Sequence, residues 1–209
     1  MHVRISAAAL AFAVCAASAS AANIVDEWRK VKAPPVPTLT ATTVKASETA
    51  LLLLDIEQAT CNRENRPRCV AAVPAMSAFL TKARETRMPV LYSNTSRGSV
   101  ATILPLVAPK FDEPVVQSSV NKFFRTRLDD YLKARNIKTV IVCGTTSIGA
   151  VLHTATGAAQ LGYKVVLPVD CMPGGSLYEE QAAVWSLVNG PGTRNALIPT
   201  TLNAIRIMP

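Results

Sequence analysis

Residues 140–155 read Val-Ile-Val-Cys-Gly-Thr-Thr-Ser-Ile-Gly-Ala-Val-Leu-His-Thr-Ala. The opening run is apolar and rich in β-branched side chains, which predicts a buried strand over residues 139–143. A Gly-Thr-Thr turn follows, and residues 149–161 have the spacing of a helix that Gly162 would end as a C-cap. A buried strand, a tight turn and a helix in this order predict one unit of a parallel α/β sheet.

The same alternation continues on both sides of this stretch. The predicted strands are residues 50–54, 88–92, 115–117, 139–143, 164–169 and 204–207, and the predicted helices are 70–86, 126–136, 149–161 and 177–188. Strands and helices that alternate in this way predict a Rossmann-like, three-layer α/β/α fold with a mostly parallel central sheet.

Composition and charge limit the classes of protein that this chain can represent. The 209 residues are 49% hydrophobic and 17% charged, which is typical of one packed globular domain. The formal net charge is +8, but the lysines and arginines are scattered, and no known nucleic-acid motif or basic stripe with interleaved aromatics is present. We therefore expect a small-molecule substrate or ligand and no nucleic acid.

The amino terminus has the pattern of a cleavable signal peptide at residues 1–22. A positive charge near Met1 precedes an alanine-rich apolar run, and small residues before position 22 fit a cleavage site. The run is too short for a stable membrane anchor. The sequence predicts a periplasmic or secreted protein.

Residues 23–48 are predicted to be an extended, Pro-rich amino-terminal arm, because Pro34, Pro35 and Pro37 disfavour a helix. Such an arm would wrap a neighbouring subunit or the flank of its own domain, and we expect a homo-oligomer. Residues 49–209 would then form the main domain.

Four cysteines remain after removal of the predicted signal peptide, and an oxidising compartment could pair them. Cys61 and Cys69 flank a polar loop, so a disulfide between them would fix a loop beside the mouth of a pocket; two free thiols are the alternative. Cys143 is expected to be a packed core residue. Neither histidine lies near a cysteine cluster with zinc-ligand spacing, so no zinc site is predicted.

Polar residues follow several predicted strands, where the ligand crevice of an open α/β sheet lies. Asp55, Asn94, Asp170, the segment before Lys122 and residues 144–150 all have this position. Taken singly, Asp55 could be a structural cap and Lys122 a solvated surface residue. Two such residues at one crevice favour a buried ion pair that is kept for some use.

Four motifs in this order resemble the isochorismatase-like cysteine hydrolases, whose members include nicotinamidases, carbamoyl-group hydrolases and isochorismatase. They are Leu-Leu-Leu-Leu-Asp-Ile-Glu-Gln at 51–58, Asn-Lys-Phe-Phe-Arg-Thr-Arg-Leu at 121–128, the stretch at 143–155, and Leu-Gly-Tyr-Lys-Val-Val-Leu-Pro-Val-Asp at 161–170. The resemblance covers residues 48 to 207. It implies the isochorismatase type of α/β/α fold.

The resemblance also implies roles for individual residues. Asp55 would be the general base, Lys122 would lower the pKa of a thiol and stabilise charge, and the backbone amides at Thr145 and Thr146 would form the oxyanion hole. The position of the family's nucleophilic cysteine is occupied by Ala150. The family's covalent route is therefore closed to this chain.

Three functional hypotheses remain open. The chain is a hydrolase of an amide-type C–N or related bond that uses a different mechanism, or a catalytically inactive protein that binds a small ligand in the retained pocket. The third is a structural partner that acts through oligomer surfaces formed by the Pro-rich arm and residues 178–185. Substitute nucleophiles in the first case are Cys143, Thr146, Ser147 or a water activated by Asp55. Ser147 is more typical of a turn or cap residue than of a nucleophile.

No metal or other cofactor is predicted. The metal-binding members of the family use histidines after the second strand, and residues 93–99 here read Ser-Asn-Thr-Ser-Arg-Gly-Ser without one. We expect Asn94 to bind substrate and Arg97 to hold a substrate carboxylate through its guanidinium group.

Overall fold

The computed structural model describes residues 23–209, so the predicted signal peptide lies outside the described residues. The chain divides into two units, of which the first ends at Pro35 and the second is Val36–Pro209. In the first unit Ile24–Glu27 forms a short helix, α1, which the Asn23 side chain caps by accepting from the Val25 amide at 2.8 Å. A 3₁₀ turn, Trp28–Lys30, follows it.

The second unit alternates strands and helices along most of its length. Its strands are β1 Thr42–Lys45, β2 Thr49–Leu54, β3 Val90–Asn94, β4 Val115–Gln117, β5 Thr139–Gly144, β6 Lys164–Pro168, β7 Leu197–Thr200 and β8 Ile205–Met208. Its helices are α2 Pro67–Glu85, α3 Leu128–Ala134, α4 Leu152–Gln160 and α5 Leu177–Asn189. Short 3₁₀ turns lie at Ala46–Glu48, Val100–Thr102, Pro105–Val107, Val169–Cys171 and Leu202–Ala204.

Within the described residues, six strands form one sheet in the order β4-β3-β2-β5-β6-β7, and every neighbouring pair is parallel. β2 and β5 lie at its centre, paired from Thr49 with Thr139 to Leu54 with Gly144. The carboxyl ends of these two strands are therefore adjacent, which brings Asp55 next to the turn at Thr145.

Alternate residues of the buried strands enter two separate cores, as the period of two in a strand requires. Leu51 and Leu53 of β2 pack on the α2 side, whereas Leu52 and Leu54 pack on the side of α3, α4 and α5. All six residues of β2 are buried. Because both faces are covered, the domain has three layers, and the predicted fold class is confirmed.

The structure differs from the predicted elements at the chain ends. Thr42–Lys45 forms β1, within the segment assigned to the extended arm, and it pairs in parallel with β8 to form a second sheet of two strands. β8 overlaps the predicted final strand at residues 204–207 and lies outside the six-stranded sheet, in which β7 is an edge strand. β7 is a strand that the sequence analysis did not predict.

The helix predicted from Gly149 begins later than expected. Residues Ser147–Val151 form a π-type turn, in which Gly149 has non-helical dihedral angles of −106° and −105°, and α4 starts at Leu152. Among residues 23–209 no helix has both the length and the apolar character that crossing a membrane requires.

Candidate functional site

Asp55 is held at the carboxyl end of β2 by its backbone and its side chain. It has a left-handed backbone, with φ of 54°, and its amide donates to the Ser93 carbonyl at 3.0 Å. The Ser93 hydroxyl donates to Asp55 Oδ1 at 2.7 Å. Burial raises the pKa of the Asp55 carboxyl, while the Lys122 charge and the hydrogen bonds from Lys122 and Ser93 oppose that rise.

Lys122 reaches Asp55 from the loop between β4 and α3. Its Nζ lies 2.7 Å from Asp55 Oδ2 and also donates to the carbonyls of Asn94 at 3.3 Å, Ser118 at 3.1 Å and Ser119 at 2.6 Å. An ammonium group has three protons, so these acceptors use its full donor capacity. The pair is buried, as predicted: Lys122 is 0% exposed and Asp55 4%.

The turn after β5 is anchored to the neighbouring strand and to the loop after β6. The Thr145 amide donates to the Leu54 carbonyl at 3.0 Å, and its hydroxyl donates to the Pro173 carbonyl at 2.9 Å. The Thr145–Thr146 peptide bond is cis. Gly144 has φ of +147°, and a Cβ there would lie 2.3 Å from the Leu54 oxygen, so only glycine fits this approach.

Ala150 lies in the π-type turn and is 3% exposed. One turn later, the Thr154 hydroxyl accepts from the Lys122 amide at 3.2 Å and donates to the Val120 carbonyl at 3.2 Å. These bonds connect the start of α4 to the segment that carries Lys122. The predicted base, cation and nucleophile position therefore lie on elements that contact one another at one edge of the sheet.

The side chains of Asn94 and Arg97 lie in different environments, and the substrate contact of Arg97 stays a prediction. The Asn94 amide donates to Glu57 Oε2 at 2.8 Å and to the Ser99 carbonyl at 3.0 Å, so its side chain is committed to the chain itself. Its contribution near Asp55 is the backbone carbonyl that accepts from Lys122. Arg97 is exposed and forms no ion pair within the part of the chain that the structure describes.

Glu57 is a buried carboxylate that the sequence analysis did not select. It is 0% exposed and accepts from the Asn94 amide at 2.8 Å, the Thr95 backbone amide at 3.2 Å and the Thr102 hydroxyl at 3.0 Å. Burial alone would raise its pKa, but these hydrogen bonds lower the pKa below the ordinary value. Its position two residues after Asp55 was the available signal.

The loop after β3 packs closely on Glu57. A Cβ added at Gly98 would lie 1.8 Å from Glu57 Oε2, so a larger residue would displace the loop. Glu57 therefore anchors the loop that carries Arg97.

The four cysteines of the described residues form two disulfides. The predicted Cys61–Cys69 bond is present, with Cα atoms 5.3 Å apart. Cys143 is bonded to Cys171, with Cα atoms 5.0 Å apart. This bond was not predicted, and it removes Cys143 from the substitute nucleophiles. Cys143 also packs in the core on the α2 side of the sheet, whereas Ala150 packs on the other side.

Of the other substitutes, Ser147 is completely buried, and its Oγ has no hydrogen-bond partner among residues 23–209. A nucleophilic hydroxyl needs a base within hydrogen-bond reach, and none is bonded to Ser147. No group of three metal-ligating side chains occurs in the described part of the chain.

Concave regions occur elsewhere on the molecule. One groove of about 540 Å³ runs between α2 and the loop after β6, and a cavity of about 290 Å³ lies at the amino edge of the sheet. Neither is lined by Asp55, Lys122 or Ala150. Asp55, Lys122 and Ala150 are each buried at the carboxyl edge of the sheet.

A three-layer α/β/α domain with a buried Asp–Lys pair beside the turn after β5 defines a class of hydrolase-like proteins. The family model of the isochorismatase domain matches residues 49–197, so the chain belongs to the isochorismatase family.

Relatives and a solved structure extend this finding. The chain is 26% identical over 87 residues to maleamate amidohydrolase of Pseudomonas putida, which is 41% of each chain. It is 36% identical over 73 residues to an uncharacterized isochorismatase family protein, YwoC, of Bacillus subtilis, which is 35% of this chain and 39% of that protein. The matched segments thus span about two fifths of these curated relatives.

The structure of N-carbamoylsarcosine amidase from Thermoplasma acidophilum aligns with a TM-score of 0.64 at 19% identity, over 75% of this chain and 97% of that one. At this identity the similarity shows the fold.

Proposed function

We propose that this chain hydrolyses a small amide-type substrate at the carboxyl edge of the sheet, with water as the nucleophile. The observation that carries this proposal is the buried Asp55–Lys122 pair, 2.7 Å apart, on segments that contact the turn and helix next to Ala150. Burying an ion pair is costly, and a well-packed apolar pair would often be as stable. The curated relative named maleamate amidohydrolase supports an amide as the substrate class.

The proposed mechanism assigns each step to a group of this chain. Alanine lacks the sulfur atom of cysteine, so a water oxygen can take that position. Asp55 accepts a proton from this water as its oxygen bonds to the amide carbon. The Thr146 backbone amide is the oxyanion donor that we propose, because the Thr145 amide already donates to the Leu54 carbonyl. The C–N bond then breaks, and the proton passes from Asp55 to the leaving nitrogen, giving a carboxylic acid and an amine or ammonia.

Lys122 keeps Asp55 ionised in this mechanism, and burial makes the carboxylate a stronger base than a solvated one. The rate should therefore rise with pH through the raised pKa of Asp55. Arg97 remains our proposal for holding a carboxylate on the substrate, because it lies exposed on the loop after β3.

A second function, ligand binding without turnover, is favoured by a different observation. The acceptors around Lys122 Nζ, which are Asp55 and three backbone carbonyls, use all of its protons. None is left to donate to a substrate or transition state. A protein that kept the family's pocket but lost its chemistry would have this arrangement.

Turnover of a panel of small amides, carbamoyl compounds and vinyl ethers separates the two functions. We expect the unaltered mature protein to hydrolyse at least one amide and Asp55→Asn to lose about 10²-fold or more of that rate. This substitution keeps the size and shape of the side chain, and unfolding curves control for stability. Full activity in Asp55→Asn would refute the proposed base.

Ala150→Cys is the complementary variant. An unaltered protein that is silent, beside an Ala150→Cys variant that gains turnover, would establish the binding function, because the pocket would then be intact and only the nucleophile absent. Isothermal titration of the amides that the variant hydrolyses would then measure binding to the unaltered protein.

We also propose export and a homo-oligomeric state. The two disulfides fit an oxidising compartment such as the periplasm. The exposed apolar side chains of Leu177, Tyr178 and Trp185 on α5 support a subunit interface. Cell fractionation tests export. Light scattering with a Trp185→Glu variant tests the homo-oligomeric state.

A further inference from the structure

The cavity at the amino edge of the central sheet has no part in the proposed chemistry. It has a volume of about 290 Å³ and lies where β3 and β4 begin, at the opposite edge from Asp55. Its charged lining residues come from the ends of α2 and α3 and from the loop before β4: Arg84, Arg87, Lys110, Asp112, Glu113 and Arg135.

One pair of these charges is already satisfied. Arg84 donates two parallel hydrogen bonds to Glu113, from Nε to Oε1 at 2.8 Å and from Nη2 to Oε2 at 2.7 Å. Arg84 Nη2 also donates to the Tyr92 hydroxyl at 3.0 Å and the Ala108 carbonyl at 2.9 Å. This pair forms a neutral, fixed wall of the cavity.

The remaining charges do not balance. Within residues 23–209, Arg87, Lys110 and Arg135 form no ion pair, and all three are exposed. Asp112 is the remaining carboxylate among the lining residues, and its charge opposes theirs. Three cations and one carboxylate leave a local charge of +2.

Arg87 occupies a backbone position that is unfavourable for arginine. It follows the end of α2 with φ of 57°, a left-handed conformation in which glycine and asparagine are preferred. The equivalent residue after α3 is Asn136, with φ of 54°, which is a residue type suited to it. The backbone therefore does not favour an arginine at position 87.

We propose that this cavity binds the phosphoryl group of a small anion through Arg87, Lys110 and Arg135. A phosphoryl group carries about −1.5 to −2 charges at neutral pH, which matches the unbalanced charge of the lining. Guanidinium groups present paired donors that fit two phosphate oxygens, and lysine adds a point charge. A free phosphate compound and a phospholipid headgroup share this chemistry. The site is independent of the function proposed for the opposite edge.

A simpler role for two of these residues is helix capping. Arg87 and Arg135 follow the carboxyl ends of α2 and α3, where a cation interacts favourably with the helix dipole, and Arg135 Nη1 lies 3.5 Å from the Tyr131 carbonyl. Capping would stabilise the protein without phosphate. It would not produce a phosphate-dependent effect.

Titration calorimetry of the mature protein at low ionic strength, with inorganic phosphate and pyrophosphate as probes, tests the proposal. We expect saturable binding, and a loss of affinity of about tenfold or more in both Arg87→Gly and Arg135→Ala. Arg206→Ala is the matched control, because Arg206 is exposed on β8 and outside the cavity lining, yet its removal costs the same charge. Its affinity should not change.

Thermal unfolding provides a second readout. In phosphate-free buffer, Arg87→Gly should unfold at the same or a higher temperature, because glycine relieves the left-handed backbone. Added phosphate should raise the midpoint of the unaltered protein and not that of the variant. If Arg87→Gly unfolds at a lower temperature than the unaltered protein in phosphate-free buffer, and added phosphate raises the midpoint of neither protein, capping is established and the proposal is overturned.

Co-sedimentation with phosphatidylglycerol or phosphatidylcholine vesicles identifies the source of the phosphoryl group. Binding of phosphatidylglycerol vesicles that Arg87→Gly weakens and Arg206→Ala does not would assign the site to a headgroup, and binding of the free anions alone would assign it to a soluble ligand. Absence of binding to phosphate, pyrophosphate and both vesicles would overturn the proposal. So would equal losses in Arg206→Ala and Arg87→Gly.

Discussion

The two halves of the candidate site satisfy their polar groups in opposite ways. In the first half, Asp55 and Lys122 are paired with each other and with Ser93 and three carbonyls. In the second half, the turn that carries Ala150 contains the buried Ser147 hydroxyl, which has no partner among residues 23–209. This contrast indicates that the charged pair is part of the framework of the fold, whereas the Ser147 hydroxyl adds nothing to the stability of the turn. Substitutions should therefore divide into those that reduce stability and those that affect only ligands.

Removal of Lys122 should have the largest effect on stability. Lys122→Ala leaves the buried Asp55 carboxylate without its cation, and we expect the free energy of unfolding to fall by about 3–5 kcal/mol. Urea unfolding measures this change in the free energy of unfolding. The double variant Asp55→Asn/Lys122→Met removes both charges and should recover part of the loss. A loss below about 1 kcal/mol in Lys122→Ala would mean that the pair is not part of the framework.

The disulfide under the turn half should rank second. Cys143 precedes the turn, and Cys171 lies two residues before Pro173, the residue that accepts from the Thr145 hydroxyl. The bond closes a separation of 28 residues, and chain entropy gives it about 3–4 kcal/mol. Calorimetric unfolding of Cys143→Ala/Cys171→Ala tests this.

The matched variant Cys61→Ala/Cys69→Ala opens a separation of 8 residues and should lose less, about 2–3 kcal/mol. The reverse ranking would show that the turn half does not take its stability from the bond beneath it.

Glu57 should make the loop after β3 sensitive to acid. Its folded pKa is lowered, so its contribution is complete above the unfolded pKa of about 4.3 and is lost as pH falls through the folded value. At neutral pH we expect Glu57→Gln to cost about 1–3 kcal/mol. Unfolding free energies measured from neutral pH downward should converge for the two proteins, and parallel curves would contradict the assignment.

Two serines, one in each half, provide the most direct comparison. Ser93→Ala removes a donor from the buried Asp55 carboxylate and should cost about 1–3 kcal/mol. Ser147→Ala removes a buried hydroxyl without a partner among the described residues and should leave stability unchanged or slightly higher. Equal losses in urea unfolding would remove the distinction between the halves.

Arg97→Ala should have the smallest effect on folding, within about 0.5 kcal/mol, because the side chain is exposed. If Arg97 holds a substrate carboxylate, KM for a carboxylated amide should rise while kcat is kept, since such a contact acts equally in the ground and transition states. Steady-state kinetics with a carboxylated amide and its neutral analogue measure both. An unchanged KM would exclude this role.

The sequence was most informative where local pattern decides structure. The apolar run of β2, the helical spacing of α2 and the turn after β5 all lie where the pattern predicts them, because burial on both faces leaves few alternatives for such segments. β1 and β7 were missed, since strands of four residues carry too little pattern and are fixed by their partners.

The order of residues along the chain was sufficient to predict the fold class and the approach of Asp55 to Lys122, because parallel strands bring their carboxyl ends to one edge. The folded structure was needed to show that Cys143 forms a disulfide with Cys171. It was also needed to show that the Asn94 amide donates to Glu57 and that the protons of Lys122 Nζ are all donated within the chain. These outcomes depend on which atoms meet across distant segments. Hydrogen bonds and disulfides act over a few ångströms, so residue type and spacing along the chain do not specify them.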